Sequence, residues 1–174
     1  MLSRIAAVCL LVLLPLPAAI AQTSRARARH EREWESKGRK MERHLLPTMR
    51  KHGVDMWVLM SRENHPDPML DLFGAYGVSG WYGHRNAYIF YDTGDALEAT
   101  VIGTHLSEHL KRFYANVITY GEEGLAKQLG PFIAERDPKK IAVNRSRTIS
   151  MADGLTASLE DYLVEALSPA LAGR

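Results

Sequence analysis

The sequence predicts an α/β domain in three layers: a mixed β-sheet with flanking helices and one β-hairpin. Three observations carry that prediction. Asn86 to Tyr91 and Ala96 to Ile102 are apolar runs on either side of Asp92-Thr93-Gly94-Asp95, the pattern of two strands joined by a tight turn. Val54 to Met60 is an apolar run of strand length that follows Gly53, a natural helix terminator. After the hairpin, helix-period and strand-period segments alternate, as they do where helices cover both faces of a sheet.

Near its start the chain carries Arg4, an apolar run from Ile5 to Leu14, and Pro15 and Pro17 ahead of Ala19-Ile20-Ala21. This is the pattern of a secretory signal peptide spanning residues 1–21, with cleavage before Gln22. The run is shorter than the roughly 20 residues a bilayer span needs, so an exported, periplasmic or secreted protein with no stable membrane span after cleavage is expected. The single cysteine, Cys9, lies inside that segment. Thiol nucleophiles, cysteine-ligated zinc and disulfides are thereby excluded from the mature chain, which must be stabilised by its own core. About 150 mature residues suffice for one core and are marginal for two.

Formal net charge is +2 for the whole chain, and the signal segment removes one positive charge, so no global field attracts nucleic acid. Residues 22–38 form a basic lead-in, with Arg25, Arg27, Arg29 and Arg32 opposed at first only by Glu31. The domain proper is expected over 39–174.

From His30 to His52, Trp34, Met41, Leu45 and Met49 recur at helical spacing, with Pro47 marking a kink or a new helix near Leu46. The polar stretch Ser61 to Pro68 follows the first strand, and a helical turn is expected over Met69 to Phe73. Beyond the hairpin the pattern predicts a helix from Leu106 to Tyr114, a strand from Asn116 to Tyr120 and a helix from Glu122 to Glu135 split or kinked at Gly130-Pro131. A strand from Lys140 to Asn144 and a last helix from Met151 to Leu167 complete the order. Ser150 and Asp153 offer that helix a capping box, and Leu155, Leu159, Tyr162, Leu163 and Ala166 form its buried stripe. A further strand would be expected after it to close the unit.

Candidate chemistry is sparse. His105 to His109 spell H-x-x-E-H, the motif of inverted zinc proteases. On a helix the two histidines would share a face, but Leu106, Leu110 and Phe113 define the buried stripe and Arg112 brings a positive charge beside them. Glu160 or Glu165 would have to supply the third ligand. A pair of surface histidines is the expectation, with a stand-alone zinc hydrolase built on His105, Glu108 and His109 as the alternative. Loops at the carboxyl ends of strands are the usual ligand sites of open α/β sheets, which directs attention to Arg62, Asn64 and His65. His65 and His84 lie in loops beside Arg62, Asn64 and Arg85, where an ordinary polar loop is the expectation and contact with a substrate or partner the alternative. Asp67 and Asp71 flank a proline turn, where capping is expected and acid/base pairing is the alternative. Trp81, Tyr82, Tyr88 and Tyr91 are expected to pack on the sheet. Asn144-Arg145-Ser146 is a formal glycosylation sequon.

Three stretches, LLPTMRKHGVDMWVLMSRENHPDP, DPKKIAVNRSRTISMADGL and LEDYLVEAL, resemble the N-terminal, creatinase-type domain of the pita-bread metallopeptidases, the group containing Xaa-Pro aminopeptidases and prolidase. The resemblance runs from about Arg39 to Leu171. It implies a mixed-sheet domain that packs against a C-terminal catalytic domain and a homodimer mate, meeting peptide substrate only through that catalytic domain. Relatives of this kind hold two divalent metal ions between two aspartates, one histidine and two glutamates of the catalytic domain. None of those positions maps onto this sequence, so no catalytic residue, metal ligand or cofactor is expected in this chain. Proximity to a substrate or partner is implied for the loop from Arg62 to Asp67 and for His84 and Arg85. A free-standing binding module is a further alternative.

Overall fold

The computed structural model describes residues 16–74 and 84–174, with side chains described from residue 24 onward, so the apolar run Ile5 to Leu14 and the aromatics Trp81 and Tyr82 lie outside the described residues. The chain divides into two compact units, Met1–Ser36 and Lys37–Arg174. The helix α1 (Leu16–Lys40) has residues in both; within the first, Trp34 Nε1 donates to His30 Nε2 at 3.0 Å with the rings edge-on.

In the larger unit a single turn of π-helix, Met41–Leu45, leads directly into α2 (Leu46–Lys51). A new helix at Leu46 is what Pro47 predicts; the π turn is not. A proline ring crowds the carbonyl one turn before it, which gives a locally distorted turn ahead of Pro47 a physical cause. The π turn also suits a four-residue repeat, and Met41, Leu45 and Met49 are all buried. α2 ends just before Gly53, whose φ of 60° glycine adopts without strain.

The strands are β1 (Met56–Arg62), β2 (Arg85–Asp92), β3 (Leu97–Gly103), β4 (Asn116–Thr119) and β5 (Ile141–Val143), in the order β4-β3-β2-β1-β5. β1 pairs antiparallel with β2 and parallel with β5; β2 pairs antiparallel with β3, and β3 parallel with β4. Hence β2 alone runs against the others. The short helix α3 (Leu70–Phe73) follows β1, α4 (Ala126–Arg136) joins β4 to β5, and α5 (Ala157–Ala166) and α6 (Pro169–Ala172) follow β5. The fold is α/β, a five-stranded mixed open sheet with flanking helices.

Alternation along the strands sorts the core into two layers. Met56, Val58 and Met60 of β1 and Ala87 and Ile89 of β2 pack with Leu125, Leu129 and Ile133 of the α4 segment and with Leu159 and Leu163 of α5. Full burial of each such leucine or isoleucine contributes roughly 2 kcal/mol. On the opposite face Trp57, Phe73 and Phe90 meet one another at ring-centre distances of 5.6 to 6.0 Å, and Tyr114 reaches Tyr88 and Phe90 at 6.0 Å. The Tyr114 hydroxyl donates to the Phe73 carbonyl at 2.6 Å, so its polar end is satisfied inside that layer.

Three expectations need correction. The predicted helix from Leu106 to Tyr114 is only a 3-10 turn, Glu108–Arg112, because Ser107 caps it and His105 has left-handed backbone, φ 51°. α4 is not split at Pro131: Gly130 has no Cβ to clash with the following ring, so helical backbone before a proline is tolerated. The last helix begins six residues later than its predicted start, at Ala157, with Thr156 accepting from the Leu159 N–H in place of the expected Ser150 cap. Leu155 N donates to the Asn144 carbonyl at 2.9 Å, which holds that residue in a loop and forbids an earlier start.

Candidate functional site

Because β2 alone is reversed, the carboxyl ends of β1, β3, β4 and β5 and the amino end of β2 lie along one edge of the sheet. All five residues singled out in the sequence converge there. Arg62 ends β1 opposite Arg85 of β2. The chain then turns tightly: His65 N donates to the Arg62 carbonyl at 3.1 Å and Arg62 N to the His65 carbonyl at 3.3 Å, with Asn64 at φ 55°. Asparagine tolerates that conformation better than most side chains do. Glu63 N donates to the His84 carbonyl at 3.2 Å and ties this turn to the start of β2.

The Arg85 guanidinium lies 4.5 Å from the centre of the Tyr162 ring, and its backbone N–H donates to the Tyr120 hydroxyl at 3.2 Å. α5 and the end of β4 thereby fix one cationic group. His84 Nδ1 is 2.7 Å from Thr104 Oγ1, and its ring centre is 5.3 Å from that of His105. Thr104 N donates to Asn86 Oδ1 at 2.9 Å. Gly103 carries no Cβ, which would collide with the Asn86 amide. The edge is therefore rich in cationic and imidazole groups set by backbone contacts.

Asp67, expected from the sequence to cap the proline turn, is the buried brace beneath this edge. It is 1% exposed; Oδ1 accepts from Met69 N at 2.9 Å, and Asn144 Nδ2 donates to both carboxylate oxygens at 2.8 and 3.0 Å. Asn144 Nδ2 also donates to the Met151 carbonyl at 3.1 Å. That buried amide has no room for a glycan, so the sequon is structural. Asp71 is exposed on α3, so the two aspartates sit in different environments.

Burial pushes the Asp67 carboxyl up from its ordinary range, opposed by the hydrogen bonds from Met69 and Asn144. A carboxyl with a raised folded-state pKa binds its proton more readily in the native state. Its contribution is then full below the unfolded value of about 3.9 and is lost as pH rises through the folded value. Asp92, bonded to Arg50, and Asp137, lowered to about 2 by Lys139 and Arg174, act with the opposite sign. The difference between wild type and Asp67→Asn isolates the one group. In urea denaturation that difference should move toward the wild type as pH falls from 7 to about 4; movement toward the variant would contradict the burial assignment.

The H-x-x-E-H segment does not assemble. His105 precedes the 3-10 turn that holds His109, and Glu108 is exposed and paired with Lys111 Nζ at 2.8 Å. Among the described residues no group of three or more His, Cys, Asp or Glu side chains could hold a metal ion. No protein-family model matches the chain, and no curated protein matches it. Away from the cationic edge, an apolar cleft of about 260 Å³ opens between α2 and the sheet, lined by Leu45, Met49, Trp57 and Phe73 with His44 and His52 among its other residues. No helix among the described residues is long and apolar enough to cross a membrane.

Proposed function

We propose that this chain is a non-catalytic, creatinase-type N-terminal domain of an exported Xaa-Pro aminopeptidase-like metallopeptidase. Its role is packing against a catalytic domain and a homodimer mate, and control of peptide access to a metal centre held by that catalytic domain. The observation that carries this reading is the convergence of the two longest stretches behind the resemblance. The first supplies β1 and Asp67; the second supplies β5 and Asn144. They meet as parallel neighbours with Met56 opposite Ile141, and Asp55 Oδ2 accepts from the backbone N–H groups of Lys139 and Lys140 at 2.6 and 3.1 Å. A resemblance scattered over unrelated surface would have no reason to coincide with one hydrogen-bonded unit.

The described side chains do not fit a two-metal centre, so no step of hydrolysis is assigned to them. The cationic edge, with Arg62, Asn64, His65, His84 and Arg85, is the surface through which the domain would border substrate or partner.

Expressed with residues 1–21 in a bacterial host, the protein should be recovered from the periplasm with Gln22 as its first residue. Supplied with manganese or cobalt, it should release no N-terminal residue from an Xaa-Pro peptide. Chelator-sensitive release that survives further purification would overturn the non-catalytic reading, and retention in the cytoplasm with residues 1–21 intact would overturn export.

A further inference from the structure

We propose that His84 and His105 form a binding site for a single divalent transition-metal ion, with zinc, nickel and copper as the candidates. The proposal stands apart from the peptidase reading, and it is a different pairing from the one the H-x-x-E-H spelling draws attention to.

The geometry is the argument. A metal–nitrogen bond of 2.0–2.1 Å places an imidazole ring centre roughly 3.2 Å from the ion, so two histidines on a tetrahedral ion have ring centres about 5.2 Å apart. The observed separation is 5.3 Å, with the rings at 79° to each other. Metal-binding histidines commonly donate their second ring N–H to an oxygen that fixes the tautomer. Thr104 Oγ1, 2.7 Å from His84 Nδ1, is placed to accept that proton and leave the Nε2 lone pair for the ion.

His105 supplies an independent sign. A non-glycine residue at φ 51° is uncommon and persists where the surroundings over-determine it, often at ligand sites. The conformation departs from the helix that the sequence favours and leaves His105 beside His84, away from the turn that carries His109. His105 is exposed and His84 half-buried, so solvent reaches the pair and water can complete the coordination. Imidazole donors suit zinc, copper and nickel and are poor partners for magnesium or calcium. Filled, the site would fasten the start of β2 to the segment leaving β3 at the cationic edge.

The test uses untagged full chain titrated with zinc or nickel chloride alone by calorimetry, and with copper for electron paramagnetic resonance. One ion per chain should bind, with two nitrogen donors in the copper spectrum. His84→Gln and His105→Gly should abolish stoichiometric binding; the glycine variant also relieves the backbone, so its melting temperature should not fall. Thr104→Val should weaken binding about tenfold, and His109→Ala should leave it unchanged. Absence of binding, or loss in His109→Ala with retention in His105→Gly, would overturn the proposal.

Discussion

Phe90→Ala should cost the domain about 4 kcal/mol, the largest single effect expected from any side chain described above. Phe90 is fully buried and touches Trp57, Phe73 and Tyr114, so truncation removes the centre of the aromatic layer and leaves neighbours that cannot all collapse inward. The transfer and cavity contributions act in the same direction. For a domain whose whole stability is expected between about 5 and 15 kcal/mol, such a loss brings it near the unfolding threshold at growth temperature. Urea denaturation should show the shift directly, and the melting temperature should drop by roughly 12 °C at about 3 °C per kcal/mol. A loss under about 1 kcal/mol would mean that this layer is not packed as described.

Gly130→Ala is the second large effect, and its sign is decided by two competing magnitudes. Replacing a helix-interior glycine by alanine normally gains about 1 kcal/mol, a gain reduced here because the new methyl also meets the Pro131 ring. Here the added methyl would fall on the Ala166 carbonyl oxygen, a backbone atom of α5 that no rotamer change can move. Separating α4 from α5 to accommodate it costs up to about 3 kcal/mol and loosens the packing of Leu129 and Ile133 on Leu159 and Leu163. A net loss of at least about 2 kcal/mol is expected in the same denaturation assay. A rise in melting temperature would show that α4 and α5 do not make the close approach.

What could be read from the chain, and what could not, follows from where the determining contacts lie. The hairpin was legible because its turn is built locally: Gly94 N donates to Asp92 Oδ1 at 2.8 Å and Thr93 N to the Ala96 carbonyl at 3.0 Å. The buried faces of α4 and α5 were legible from spacing alone. β1 was expected from Val54 but begins at Met56, because Val54 N serves the end of α2 by donating to the Met49 carbonyl at 2.9 Å. The late start of α5 depended on Asn144 and Asp67, partners 77 residues apart, and no local pattern carries that information.

The site divides in the same way. The rule that loops at carboxyl ends of strands gather ligands pointed to Arg62, Asn64 and His65, the resemblance added His84 and Arg85, and the structure brings all five to one edge. The rule missed the neighbour of His84. A four-residue spacing pointed from His105 to His109, whereas one left-handed residue placed His105 beside a histidine 21 positions earlier. Asp67 was named for its local cap, which the Met69 N–H bond bears out, but its burial against Asn144 is a long-range property that spacing does not carry.

The sheet margin at β5 has a consequence for behaviour at high concentration. The strand has only three residues, its Ile141 N–H is taken by the Arg174 carbonyl at 3.3 Å, and its Val143 carbonyl accepts from Arg145 N at 3.0 Å. An uncovered strand border recruits the borders of other molecules and seeds fibrous deposits when it offers a long run of open hydrogen-bonding groups. This border is too short and too occupied to do so, which closes that route to precipitation at the β5 margin.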